Sequence, residues 1–326
     1  VDLAQAQLLA ADQDLIVRVS QAYFDVLAAR DTLNFVKAQK AAVAEQLASA
    51  KRNFEVGTST ITDSREAQAR FDLSNAQEIA AENDLRIKKL TLDQLVGKAD
   101  AQPQVLAQPL KLPALVPNDV STWVQQAETT HPLIQQSQIA LDVAQLETQK
   151  AQAGHLPTVD LTAAYNVTQN DGSASLATDF RTHAATVGVS FNLPLFAGFA
   201  IQNRVKETLA LEDKARSDLE GARRTVSQFT RTAFFGVQSG QGQVKALEAA
   251  EASSQSALEA NQLGYQVGVR INIDVLNAQS QLFQTKRDLA HARYSVLMGQ
   301  LKLKQAAGTL TVDDITALDR SLLVHS

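Results

Sequence analysis

The sequence predicts a mainly α chain of long antiparallel coiled-coil helices, of the kind that form one subunit of an α-barrel, carrying one β-hairpin of transmembrane type. Three observations predict it. Two helix-favouring stretches are broken by closely similar motifs, "FEVGTSTITD" at 54–63 and "YQVGVRINID" at 265–274. The sequence around these breaks repeats at a fixed offset of 211 residues, the mark of an internal duplication. A window at 155–200 abandons the helical pattern for strict two-residue alternation.

The first repeat, 1–97, reads as helix over 2–52, a tip at 54–63, and helix again over 64–96 up to Gly97. Neither helical stretch contains proline, and Ala, Leu, Gln, Glu and Lys fill both. Residues 98–131 hold four of the seven prolines, all within the run "KADAQPQVLAQPLKLPALVPNDV" at 98–120, too many for a helix. A short helix is expected from about Val120, capped by Asn118 or Asp119. Residues 132–157 form a longer helix leading to the strands, and 158–193 form the hairpin. The second repeat, 194–308, runs as helix to about 264, bends at its tip over 265–274, and resumes as helix over 275–307 before Gly308. A tail, 309–326, follows.

The offset places "AYFDV" (22–26) on "AFFGV" (233–237), Gly57 on Gly268, Asp63 on Asp274, Ala67 and Gln68 on Ala278 and Gln279, and Gly97 on Gly308. Helices of this length extend roughly 75 to 95 Å at 1.5 Å per residue and need lateral partners. One heptad seam reads Leu73, Ala76, Ala80, Asn83, Ile87, Leu90; another reads Leu282, Thr285, Leu289, Ala292, Val296, Gly299, Leu303. A second stripe on the latter helix, Tyr294, Met298 and Leu301, predicts contact with two neighbours, as in the wall of a closed ring.

In the hairpin, Val159, Leu161, Ala163, Tyr165, Val167, Val187, Val189, Phe191 and Leu193 share one face, with polar and small residues opposite. That alternation suits a lipid-facing barrel strand, and it also suits a half-buried hairpin of a soluble sheet. The absence of further strand signals and the weakness of a lone hairpin favour the first. The polar stretch "QNDGSASLATDFRTH" at 169–183 reads as the loop between the strands.

Composition narrows the function. The chain has no cysteine, which excludes thiolate metal sites and disulfides. A net charge of −5 gives no basic field for nucleic acid. No run of apolar residues is long enough for a membrane-crossing helix. The five histidines are scattered without metal-ligand spacing, and no nucleophile elbow, phosphate loop or dinucleotide fingerprint occurs. The expectation is a protein that is not an enzyme, with no catalytic residue, cofactor or metal.

The segments "AYFDVLAARD", "RNFEVGTSTITDSREAQARFD", "GHLPTVDLTAAY", "VGVSFNLPLFAG" and "GYQVGVRINIDVLNAQSQLF" resemble the TolC family of outer-membrane channels, and the similarity spans nearly the whole chain. The resemblance implies a homotrimer located in the cell outer membrane and extending into the periplasm. It implies export by type I protein secretion or tripartite drug efflux, with an inner-membrane pump, an ABC or proton-driven transporter, and a periplasmic adaptor (membrane fusion) protein as partners besides outer-membrane lipid. A soluble periplasmic coiled-coil scaffold or adaptor is the alternative. The second repeat's strands map 211 residues back to positions before Val1, so the first β-hairpin is expected in a part of the protein that precedes this chain.

At the tips, Gly57 and Gly268 supply backbone freedom, and Asp63 and Asp274 start the following helices. Asp63, with Glu66 three residues on, suits simple helix capping. The resemblance adds roles: an entrance constriction at Asp274 and Asn277, the latter standing where many family members carry a second aspartate, and gating contacts that join Tyr265 and Arg270 to Asp63 and Thr62.

Overall fold

A computed structural model of the protein describes residues 2–104, 112–170 and 179–322. Residues 105–111 of the proline-rich segment, 171–178 of the expected loop and 323–326 of the tail lie outside the described residues. The elements run in order α1 (Asp2–Glu55), α2 (Ile61–Val96), α3 (Val120–Thr130), α4 (Pro132–Ala153), β1 (Thr158–Asn170), β2 (Phe180–Asn192), α5 (Ala200–Gln266), α6 (Asn272–Ala306) and α7 (Val312–Leu322). No helix among the described residues is long and apolar enough to cross a membrane.

The chain divides into two compact units. The first comprises 1–135 and 223–326, the second 136–222. In the first unit α6 carries two apolar faces, as its two stripes predict. Leu297, Met298 and Leu301 pack with Phe24 and Leu27 of α1 and with Leu310, while Val275 and Leu282 pack with Leu258 of α5. Leu276 completes a third cluster with Val43, Leu47, Ala50 and Ala67. Ala50 and Ala67 are both fully buried, so α1 and α2 approach closely where each presents only a methyl group. Each fully buried leucine contributes about 1.5–3 kcal/mol relative to exposure. The α2 seam behaves otherwise: Leu73, Ile87 and Leu90 are 51%, 51% and 62% exposed among the described residues.

Residues of the proline-rich segment and of the tail meet this core. Leu112 and Leu318 pack on the cluster containing Leu310. Asp119, rather than Asn118, caps α3, accepting from the N–H groups of Ser121 and Thr122. Gly308 has φ +71°, and a Cβ there would lie 2.6 Å from the Cα of His131, so both conformation and space demand glycine. The tail folds as a helix that composition alone does not announce. Its signal is Thr311-x-x-Asp314, in which the Asp314 carboxylate accepts from the Thr311 N–H and hydroxyl. Asp314 also pairs with Lys304 at 2.6 Å.

In the second unit β1 and β2 form an antiparallel ladder from Thr158↔Asn192 to Asn170↔Phe180. Val159, Leu161 and Ala163 pair with Phe191, Val189 and Val187, which puts the expected apolar set on one face. Tyr165 and Val167 sit opposite Ala185 and His183, and the Tyr165 hydroxyl bonds His183 Nδ1 at 2.7 Å. Two expectations need correction. Gln169, Asn170 and residues 180–183 belong to the strands, not to the loop, because the ladder satisfies their backbone groups regardless of side-chain polarity. Leu193 lies just past the last paired residue of β2.

Candidate functional site

The two bends close with the same backbone bonds. At the first, the N–H of Val56 donates to Arg52, that of Gly57 to Phe54, and those of Thr58 and Ser59 to Asn53. At the second, 211 residues later, Val267 donates to Leu263, Gly268 to Tyr265, and Val269 and Arg270 to Gly264. Gly57 and Gly268 have φ of +78° and +79° with open space where a Cβ would lie, so conformation alone selects glycine at both.

Side chains hold the bends next to each other. Asn53 Nδ2 donates to the Tyr265 hydroxyl at 3.2 Å. Asn272, fully buried, donates to the backbone oxygen of Asp63 at 3.2 Å and accepts from Gln46. Slightly farther along, Arg70 Nη2 of α2 donates to Asn277 Oδ1 of α6 at 2.8 Å.

The aspartates then diverge. At the first bend the helix begins three residues before its expected start: Thr60 is the N-cap, and Asp63 is the third residue of a capping box. The reason is reciprocal. The Thr60 hydroxyl accepts from the Asp63 N–H, while the Asp63 carboxylate accepts from the Thr60 N–H and from the hydroxyls of Thr60 and Ser59, leaving the anticipated pairing with Glu66 unused. Partial burial pushes the Asp63 carboxyl upward, but these bonds outweigh it and hold the group below its ordinary value. At the second bend the cap position is Ile271, which offers no side-chain bond. The Asp274 carboxylate therefore has Arg270 Nη1, 3.8 Å away, as its ion-pair partner. Within one chain Tyr265 lies on Asn53 and Arg270 on Asp274, and neither reaches Asp63 or the exposed Thr62.

Sequence reasoning passed over Asn53, Gln46, Asn272 and Arg70. None of these positions matches its counterpart 211 residues away, so the duplication gave no signal for them.

The profile of the outer membrane efflux protein family matches residues 1–98 and 123–309. The chain belongs to this family. Among relatives of the outer membrane efflux protein family, outer membrane protein TolC of Vibrio cholerae is 35% identical over 98% of this chain and 74% of its own length. TolC of Escherichia coli K12 is 34% identical over 95% of this chain, and alkaline protease secretion protein AprF of Pseudomonas aeruginosa is 30% identical over 96%. The chain spans 64% and 65% of those two proteins. The solved Campylobacter jejuni CmeC outer membrane channel superposes with a TM-score of 0.79 over 98% of this chain and 68% of that one, at 19% identity, which speaks for the shared fold. As an outer membrane efflux protein, the chain is an outer-membrane channel polypeptide of export, and its relatives are channel and secretion proteins.

Proposed function

We propose that the chain is one subunit of a homotrimeric export channel whose periplasmic entrance is built from the two bends, with Asp274 and Asn277 at the constriction. An inner-membrane pump, an ABC or proton-driven transporter, would deliver the cargo, and a periplasmic adaptor would grip the helical hairpins. The observation that carries this reading is the pairing of the bends. They lie side by side, one aspartate is consumed by its own helix cap, and the other is left with a single, long ion pair. The uncovered α2 seam supports neighbours of the same kind, and Val159, Leu161, Val187 and Val189, all at least 66% exposed, suit a lipid-facing wall. Relatives named for alkaline protease secretion and for efflux bring both classes of cargo into view.

The gate would be held by Tyr265 and Arg270, with Asp63 and Thr62 of the neighbouring tip as further contacts. Each such partly exposed bond is worth on the order of 1 kcal/mol, little enough for a docking partner to offset. Arg270→Ser or Tyr265→Phe is expected to raise the single-channel conductance of the full-length protein in planar bilayers. Unchanged conductance in both variants would end the gating assignment.

A further inference from the structure

We propose that Arg70 is a charge-setting residue of the entrance, lowering its preference for cations through a guanidinium held one helical turn beyond Asp274. The inference rests on the entrance reading above and deepens it.

Arg70 lies on α2 and is half-buried, and its Nη2 donates at 2.8 Å to Asn277 Oδ1 on α6. The bond crosses from one helical hairpin to the other. An amide oxygen orients the guanidinium without neutralising it, because the acceptor carries no formal charge. Among the described residues Arg70 forms no ion pair with any carboxylate, Glu66 one turn earlier included. Asn277 follows Asp274 by three residues, a rise of about 4.5 Å along the helix, so the added charge falls within a Debye length of about 8 Å. Asp274 already faces Arg270 at 3.8 Å. Asp274, Arg270 and Arg70 thus place one carboxylate and two guanidinium groups within about a helical turn of one another in each chain. Rings of fixed side-chain charge set the selectivity of a pore, and here the guanidinium groups counter the carboxylate ring. An aspartate at 277 would pair with Arg70 and cancel its field; asparagine leaves that field in place.

The test is the ratio of potassium to chloride permeability, read from reversal potentials of the full-length channel in planar bilayers under a potassium chloride gradient. Arg70→Gln is expected to raise the ratio about tenfold, because a unit charge about 6 Å away in water shifts a monovalent ion by roughly 0.7 kcal/mol, about threefold, and in opposite senses for potassium and chloride. Arg70→Lys, which keeps the charge, is expected to stay near the wild type. Arg70→Met, which likewise removes the charge, is expected to raise the ratio in the same direction and serves should Arg70→Gln fail to assemble. Asp274→Asn is expected to lower it. A shift with Asp274→Asn but none with Arg70→Gln or Arg70→Met overturns the role of Arg70 and leaves the entrance reading standing. No shift with Asp274→Asn overturns the entrance reading and the proposal together.

Discussion

At the first bend Asp63 accepts hydrogen bonds from Ser59 and Thr60, while at the second Asp274, in the same backbone setting, has Arg270 at 3.8 Å. The backbone cannot be the cause, since glycine conformation and closing bonds recur at both. The difference follows from two adjacent positions, Ser59 and Thr60 against Arg270 and Ile271. A hydroxyl at the cap draws the aspartate three residues on into the helix end, whereas a β-branched alkyl group leaves it to the surroundings. Two copies of one motif can therefore separate structural from electrostatic duty by two neighbouring side chains, without any change in the path of the main chain.

The largest expected effect breaks the same comparison at the other ends of the paired helices. Gly97 and Gly308 both have left-handed φ, but only Gly308 is crowded, by the backbone of Thr130 and His131. Gly308→Ala should cost about 3 kcal/mol, the sum of a left-handed penalty of about 1–2 and overpacking of at least about 1, against about 1 for Gly97→Ala, measured by denaturant unfolding. Exchanging the caps sharpens the contrast. Thr60→Ala is expected to cost about 1 kcal/mol and Ile271→Thr to gain about 0.5, with Asp274 drawn into the new cap and the cation preference of the channel reduced in the same bilayer recordings. The smallest effect is in acid. The Asp63 carboxyl lies lower when folded than its ordinary 3.8, so the unfolded chain binds more protons in that interval. Its contribution is complete above that ordinary value and is lost as pH falls through the folded value. The stability gap between the wild type and Asp63→Asn should accordingly close on acidification in a series of thermal melts, and a gap independent of pH would refute the linkage.

The long helices and their bends were legible because glycine, absent proline and the 211-residue offset all act locally along the chain. The strand ends were not: Gln169 and Arg181 look like loop residues, yet they pair across the ladder, where backbone geometry outranks polarity. The site was legible in part. Gly57, Gly268, Asp63 and Asp274 announce themselves by repetition, but the choice of Thr60 as cap depends on a reciprocal bond that competes with the equally plausible pairing of Asp63 and Glu66. Arg70 and Asn277 stand 207 residues apart, off the 211-residue register, and only the packing of α6 against the first hairpin brings them together.

In the proposed homotrimer, the stripe of Leu73, Ile87 and Leu90 along α2 would tie the fold to the abundance of its own kind. Oil left facing water on one flank gains from a companion only by mass action, so dilution weakens this helix and crowding with copies strengthens it. Its melting temperature is then a property of the solution as much as of the molecule.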